Sequence, residues 1–460
     1  MKMRFLLLIC MLLGQVYAQT VTVSQLNVPG EDYFDPEIHS DEDAMVWMDG
    51  NRTLWYADLD SNTGFFIQNV GKQIVVDTSA PLLATWNAGE FLIDSQGWRI
   101  VYSKTALNST VQIHEAILNA GSFQTNQLTV GNKSNAGVIP SRSASYPSGK
   151  LLFFRGNINN QPDLNWSDRT TPNLLNPIGT YEKGFTHGDF FQGSEFGLLY
   201  SHPDSSGVYQ LYIADSLNQI TQITFSPSHK QNPMTLEAPE LGGTLILACI
   251  AEHTTGDSLL FFQKIAGNWN RLTALGLPSG TSKPRFSSSE MFAFQGRTMV
   301  SVQIEDTTGG GVQDAEIWLL SMDGALALRV DDQLGAAQRT DPEYYVTDQK
   351  AFVYYNIYRN NIWEMWVSEV SGWPLNQDSP EERTELTNVY PIPAARDLYV
   401  SSGFNSGSYA VISITGKVMY EGRFETSDFE VPLVNFDRGI YLLRINRSNQ
   451  TEVLRFVVGH

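Results

Sequence analysis

One short pattern recurs along most of this chain: a brief extended segment, a polar turn, then a strongly apolar run. Asp35-Pro36-Glu37-Ile38 leads through Ser40-Asp41-Glu42-Asp43 into Ala44-Met45-Val46-Trp47. Asp341-Pro342-Glu343-Tyr344 leads through Thr347-Asp348-Gln349-Lys350 into Ala351-Phe352-Val353-Tyr354. Lys283-Pro284-Arg285-Phe286 opens a third copy, Ser145-Tyr146-Pro147-Ser148 precedes Leu151-Leu152-Phe153-Phe154, and Gln192-Gly193-Ser194 precedes Phe196-Gly197-Leu198-Leu199-Tyr200. Apolar runs this short, bounded by turn residues, are adjacent antiparallel strands. A further strand with an aliphatic–aromatic start follows several of them: Leu54-Trp55-Tyr56-Ala57-Asp58, Leu211-Tyr212-Ile213-Ala214-Asp215, Ile317-Trp318-Leu319 and Ile362-Trp363-Glu364-Met365-Trp366. Gln222-Ile223-Thr224 and the run from Ala325 to Val330 supply a fourth.

A repeated unit of four strands is a propeller blade. Unit starts fall near Asp35, Pro81, Val138, Asp189, Pro233, Pro284 and Pro342, spaced by 44 to 58 residues. Seven units fit best; six is the alternative, because the second and third are degenerate. The expected fold is therefore all-β, a seven-bladed or six-bladed β-propeller of four-stranded blades. The last unit shows three clear strands, ending near Val370, while Val21 to Val28 reads as an isolated strand before the first unit. That segment can complete the last blade and close the ring, which removes two open sheet edges. Arg383-Thr384-Glu385-Leu386-Thr387 is the rival for the same place.

The Asp-Pro opening and the Leu-Trp-Tyr-Ala-Asp strand resemble the TolB-type blade, over roughly Tyr33 to Gly372. The Gly-His and Trp-Asp dipeptides of the WD repeat do not occur in this region.

Both ends of the chain read as addresses. Lys2 and Arg4 precede an apolar core from Phe5 to Leu13, and Val16-Tyr17-Ala18 is a small-x-small cleavage site, with Gln19 as the mature N-terminus. Nine apolar residues span about 14 Å as a helix, under half of a ~30 Å hydrocarbon core, so this is a signal peptide rather than an anchor. No other stretch approaches eighteen apolar residues, and a mature chain without a transmembrane segment is expected. At the other end stand Tyr390-Pro391-Ile392-Pro393-Ala394, Ile414-Thr415-Gly416-Lys417-Val418, Gly439-Ile440-Tyr441-Leu442 and Arg455-Phe456-Val457-Val458. The series resembles the type A sorting domain of the type IX secretion system of the Bacteroidota. Ile392 departs from the asparagine usual between the two prolines. The resemblance implies a small β-sandwich of about seven strands, contact with the secretion machinery, and delivery to the outer surface or the medium of a Gram-negative cell. The sorting signal carries over onto Pro391, Pro393, Gly416, Gly439 and Tyr441. The expected layout is a signal peptide at 1–18, the propeller at 19–372, a linker at 373–387 and the sorting domain at 388–460.

Charge separates these modules. The chain has 30 basic and 49 acidic residues; the tail from Asn388 carries seven of each and residues 1–18 carry two basic. The body is left with 21 basic and 42 acidic. A surface that acidic repels phosphate backbones, so nucleic acid is excluded as a partner.

Recognisable catalytic signatures are missing from the sequence. It has no Gly-x-Ser-x-Gly; His114-Glu115 lacks a second histidine, with Leu118 in its place; Gly71-Lys72 is followed by Gln73 rather than Ser or Thr. Cys249 lies in an unbroken apolar run and reads as a core residue. Asp58, Asp60 and Asn62 alternate as calcium-loop ligands do, but Gly64 comes one position late and Asn69 stands where Glu is needed; the competing reading is a polar turn. His187-Gly188-Asp189 is a metal or base candidate, or a turn entering an inner strand. Trp166, Trp269 and Trp373 either stack on sugars from an exposed face or pack between blades. With 42 acids in the body, no carboxylate pair can be chosen for glycoside chemistry. The functional expectation is a non-catalytic module for a protein, peptide or glycan, without a cofactor. The alternatives are a glycan hydrolase or lyase at the channel mouth, and an adhesive coat component. A tight cluster of acids and aromatics is the arrangement expected of the hydrolase.

Overall fold

The computed structural model describes residues 20–371 and 388–458. It leaves out connecting segments at 68–73, 79–88, 107–109, 157–162, 181–187, 193–194, 254–255, 266, 282 and 307–313 in the first part. In the second it leaves out 391–396, 402–405, 414–416, 427, 434–435 and 448–449. The chain divides into two compact units, residues 1–375 and 376–460.

The first unit is a seven-bladed propeller, each blade a four-stranded antiparallel sheet. The innermost strands are Tyr33–His39, Glu90–Asp94, Ser134–Pro140, Gly188–Phe190, Lys230–Ala238, Arg285–Phe294 and Gln338–Val346, for blades 1 to 7 in order. Six blades run outward in chain order. The seventh does not: its three strands from Gln338 to Ser371 are completed by Thr20–Gln25, paired with Ile362–Ser371 in the register Thr22 to Glu369. Closure by the N-terminal strand is thus observed, and the rival segment 383–387 lies outside the described residues. The second blade begins its inner strand at Glu90, further along than the expected Pro81, which also lies outside the described residues.

Blades are apolar on both faces because each is sandwiched between two others. That is why the second strands read as unbroken runs, such as Leu245–Ala251 and Ala351–Tyr355. Seven buried clusters result, one for each pair of adjoining blades. The cluster between blades 1 and 7 joins Trp47, Met45 and Phe66 to Tyr345, Phe352 and Tyr354, with Trp47 stacked on Phe66 at 4.7 Å. Asn356 of blade 7 ties the same seam at the inner end: its Nδ2 donates to Tyr33 O (2.8 Å) and its Oδ1 accepts the Asp35 amide (3.0 Å).

Among the described residues the second unit has seven strands in two sheets, one of three and one of four. Leu398, Val400 and Val431 of the first sheet share a core with Tyr409, Val411, Leu443, Ile445 and Phe456 of the second. This is the small β-sandwich expected of the tail.

Candidate functional site

The Asp-Pro dipeptides do not lie ahead of the blades. They sit inside the inner strands, at a bulge that five of the seven share. The register slips between Phe34 and Glu37, Ala136 and Ile139, Gln231 and Met234, Phe286 and Ser289, and Thr340 and Glu343. In four of them the first bulged residue takes the left-handed conformation: Asp35 (φ 52°), Gly137 (62°), Asn232 (50°) and Asp341 (63°). Asp, Asn and Gly are the residues that tolerate it. The following Pro36, Pro233 and Pro342 are permitted because a bulged residue leaves the hydrogen-bond ladder.

The five bulged inner strands, with the unbulged ones of blades 2 and 4, line a cavity of about 160 Å3 with polar side chains. Blade 1 supplies Asp35 and Glu37, and blade 2 Glu90. Blade 4 adds Asp189, blade 6 Glu290, and blade 7 Asp341 and Glu343. Blade 5 lines it with Asn232 and Thr235, and blade 3 with Arg142, the cation of the lining. Phe154, Ile139, Met234, Met291 and Tyr344 form its apolar walls.

Arg142 is 26% exposed and pairs through Nη2 with Glu37 (2.6 Å) and Glu90 (2.8 Å), so one guanidinium links three blades. Its backbone forms a parallel bridge with Ile93. Asp189 accepts the Thr235 amide (2.7 Å) and hydroxyl (2.8 Å). Asp341 hydrogen-bonds to Asp35. Glu343 is 4% exposed and has no hydrogen-bond or ion-pair partner among the described residues.

Crowding acids in a low dielectric disfavours their charged forms. Burial pushes Glu290 up to about 7 and Asp189 to about 6. Glu37, Asp341 and Glu343 are raised well above the usual carboxylate range, by burial first and then by neighbouring carboxylates. The Arg142 charge opposes the rise at Glu37, Glu290 and Glu343.

Sequence reasoning pointed elsewhere for most of this. Asp58 and Asp60 organise the polar turn: Asp60 accepts the amides of Asn62 (2.9 Å) and Thr63 (3.0 Å), and Asp58 the Tyr56 hydroxyl (2.7 Å). Asp189 lies in an inner strand, within the channel; His187 is outside the described residues. Trp166 is buried in the core between blades 3 and 4, and Trp269 packs edge-on against Phe191, so inter-blade packing accounts for both. Trp373 is outside the described residues. So are Ala18, Gln19, Pro391, Pro393 and Gly416. Gly439 opens a core strand of the tail. Tyr441 packs against Phe436 and Phe456, its hydroxyl donating to Asp437 O (3.0 Å). The channel acids were missed as a set. Their sequence signal was the Asp-Pro-Glu triplet of the first and last units, Asp35–Glu37 and Asp341–Glu343.

Among solved structures the chain is similar to the WD40 repeats of RRP9, at 8% identity and a TM-score of 0.45, covering 76% of this chain and 97% of that one. It is similar to a Trypanosoma rangeli sialidase, at 9% identity and a TM-score of 0.39, covering 95% and 90%. An ancestral GH74 enzyme gives 12% identity and a TM-score of 0.47, covering 78% and 52%. No curated protein matches the chain. Residues 388–459 match the secretion system C-terminal sorting domain, and with that address the chain is a type IX secretion substrate, exported to the cell surface or beyond it.

Proposed function

We propose that the protein is a non-catalytic binding module of TolB-like type, whose extracellular ligand docks at the central channel. The observation that carries this is the convergence of polar side chains from the inner ends of all seven blades, five of them bulged, on one cavity. The repeated Asp-Pro bulge also supports the TolB-like character. Most channel groups are already engaged, Glu37 and Glu90 with Arg142 and Asp189 with Thr235. Such a network suits recognition by a rigid rim. The test is a peptide and glycan array probed with the full chain, with hydrolysis assays on every ligand bound. Binding without turnover is expected; turnover of any hit refutes the reading.

The second reading, a glycan hydrolase or lyase, has its own observation: the acids do cluster, beside Tyr344 and Phe154. Glu290, raised to about 7, is about half protonated at neutral pH, in the range where a general acid works. Against it stands the cavity, about 160 Å3 against roughly 300–1,000 Å3 for sites that enclose a drug-sized ligand. Turnover lost in Glu290→Gln would move the assignment to the enzyme.

A further inference from the structure

Glu343 is the anomaly of the channel. It is 4% exposed, faces the cavity, and has no hydrogen-bond or ion-pair partner among the described residues. Buried carboxyls are ordinarily paired. The candidates for pairing it are committed: Arg142 to Glu37 and Glu90, Thr235 to Asp189. Glu290 lines the same cavity, and its carboxylate likewise makes no hydrogen bond among the described residues. Two carboxyls thus face one space without a donor, beside Asp341 Oδ2, a third oxygen of the lining that has no partner among the described residues.

The space itself narrows what can fill it. At about 160 Å3 it is close to the ~150 Å3 cavity that holds a benzene-sized guest. It therefore takes one side-chain head, not a sugar chain. Carboxyls outnumber the single guanidinium, and an entering cation favours their ionised forms while an anion meets only crowded acids, which selects a cation and rejects anions. Among the described residues no three His, Cys, Asp or Glu side chains converge as a metal site, so the geometry favours an organic cation. The walls add a second criterion. Ile139, Phe154, Met234 and Met291 offer apolar surface to an unbranched methylene stem, as lysine and arginine carry. An amino sugar holds its ammonium on a polyhydroxyl ring, whose hydroxyls would be left without partners against those walls.

We propose that the channel receives the ammonium or guanidinium head of a lysine or arginine from an extracellular polypeptide, paired by Glu343 and Glu290. This rests on the channel as the binding site of the preceding section, and adds the ligand's chemistry.

The experiment is calorimetric titration of the full chain with Nα-acetyl-lysine amide, Nα-acetyl-arginine amide, Nα-acetyl-glutamine amide and glucosamine. Saturable binding of the lysine or arginine compound is expected, with none for the neutral glutamine compound. Glu343→Gln should weaken that binding about ten- to a hundredfold, the loss of one partner that ionises as the cation enters. Glu195→Gln, on a side chain 75% exposed and paired with Lys264, should leave it unchanged. Matching melting curves establish that each variant is folded; if Glu343→Gln is not, Glu290→Gln takes its place with the same expectation. No saturable heat with either cationic amide overturns the proposal. So does tighter binding of glucosamine, or full affinity in the folded variant. A neutral array ligand held equally well by Glu343→Gln removes this inference alone, whereas a chain that binds nothing on the array removes the binding reading too.

Discussion

Replacing Arg142 with glutamine isolates the charge that holds the channel together. Arg142 donates to Glu37 at 2.6 Å and Glu90 at 2.8 Å. Charged hydrogen bonds are worth about 1.5–3 kcal/mol each. The side chain is 26% exposed, so solvent screens the pair and the lower figure applies to both. Glutamine recovers one neutral bond of about 1 kcal/mol, leaving a net loss of about 2 kcal/mol at pH 8. For a body of this length that is a fall of roughly 2–4 °C in the propeller transition, by inverse scaling with chain length. The pH dependence is the sharper signature. Arg142 opposes the raised proton affinity of Glu37, Glu290 and Glu343, so without it these carboxyls protonate more readily. At pH 5 they are largely neutral in the variant, and the deficit should shrink to well under 1 kcal/mol. The assay is thermal unfolding of wild type and variant at pH 5 and pH 8. An equal deficit at both values would mean that Arg142 acts through packing, and an unchanged transition at pH 8 would refute the reasoning outright.

The remaining predictions concern the same network and the fold around it. In the wild type, Glu290 rises from 4.5 to about 7 and Asp189 from 3.8 to about 6, so the folded state binds these protons more tightly. Their stabilising contribution is present below about pH 4 and is lost as pH rises to about 7; urea unfolding that shows them gaining stability across that window would contradict the assignment. Asp341→Asn keeps the left-handed bulge, as Asn232 does at the corresponding place, and removes one crowded acid. Its melting temperature should rise at pH 8 and change little at pH 5. Deleting Thr20–Gln25 exposes Ile362–Ser371 as an open edge, so thermal stability should fall and light scattering should reveal concentration-dependent association. The Cys249 thiol is fully buried and pushed up to about 12, so Ellman's reagent should leave it intact until urea unfolds the chain.

Strand-forming runs and turn residues are local properties, so the blades, their number and the closing N-terminal strand were legible in the sequence. The apolar runs could be read because each blade is buried on both faces; Ala351–Tyr355 admits no other place. The tail was legible for a different reason, since its motifs occur together over a short span. The Asp-Pro repeat was visible but misplaced. A bulge is a relation between two strands, and a single strand's residues do not reveal that their partner has slipped register. The second blade's inner strand begins at Glu90, past the expected Pro81, and carries no Asp-Pro to mark it.

The candidate site belongs to the tertiary structure alone. Asp35 and Asp341 meet only because Thr20–Gln25 and the Asn356 clasp bring the chain's two ends of the ring together. Arg142 reaches Glu37 from another blade, and Glu343 lacks a partner only because of what surrounds it. By itself the sequence determined an all-β ring of repeated sheets and the address that exports it. Which few of 42 acidic side chains share one channel was decided by ring closure, since their proximity is set by rotation about the propeller axis and not by distance along the chain.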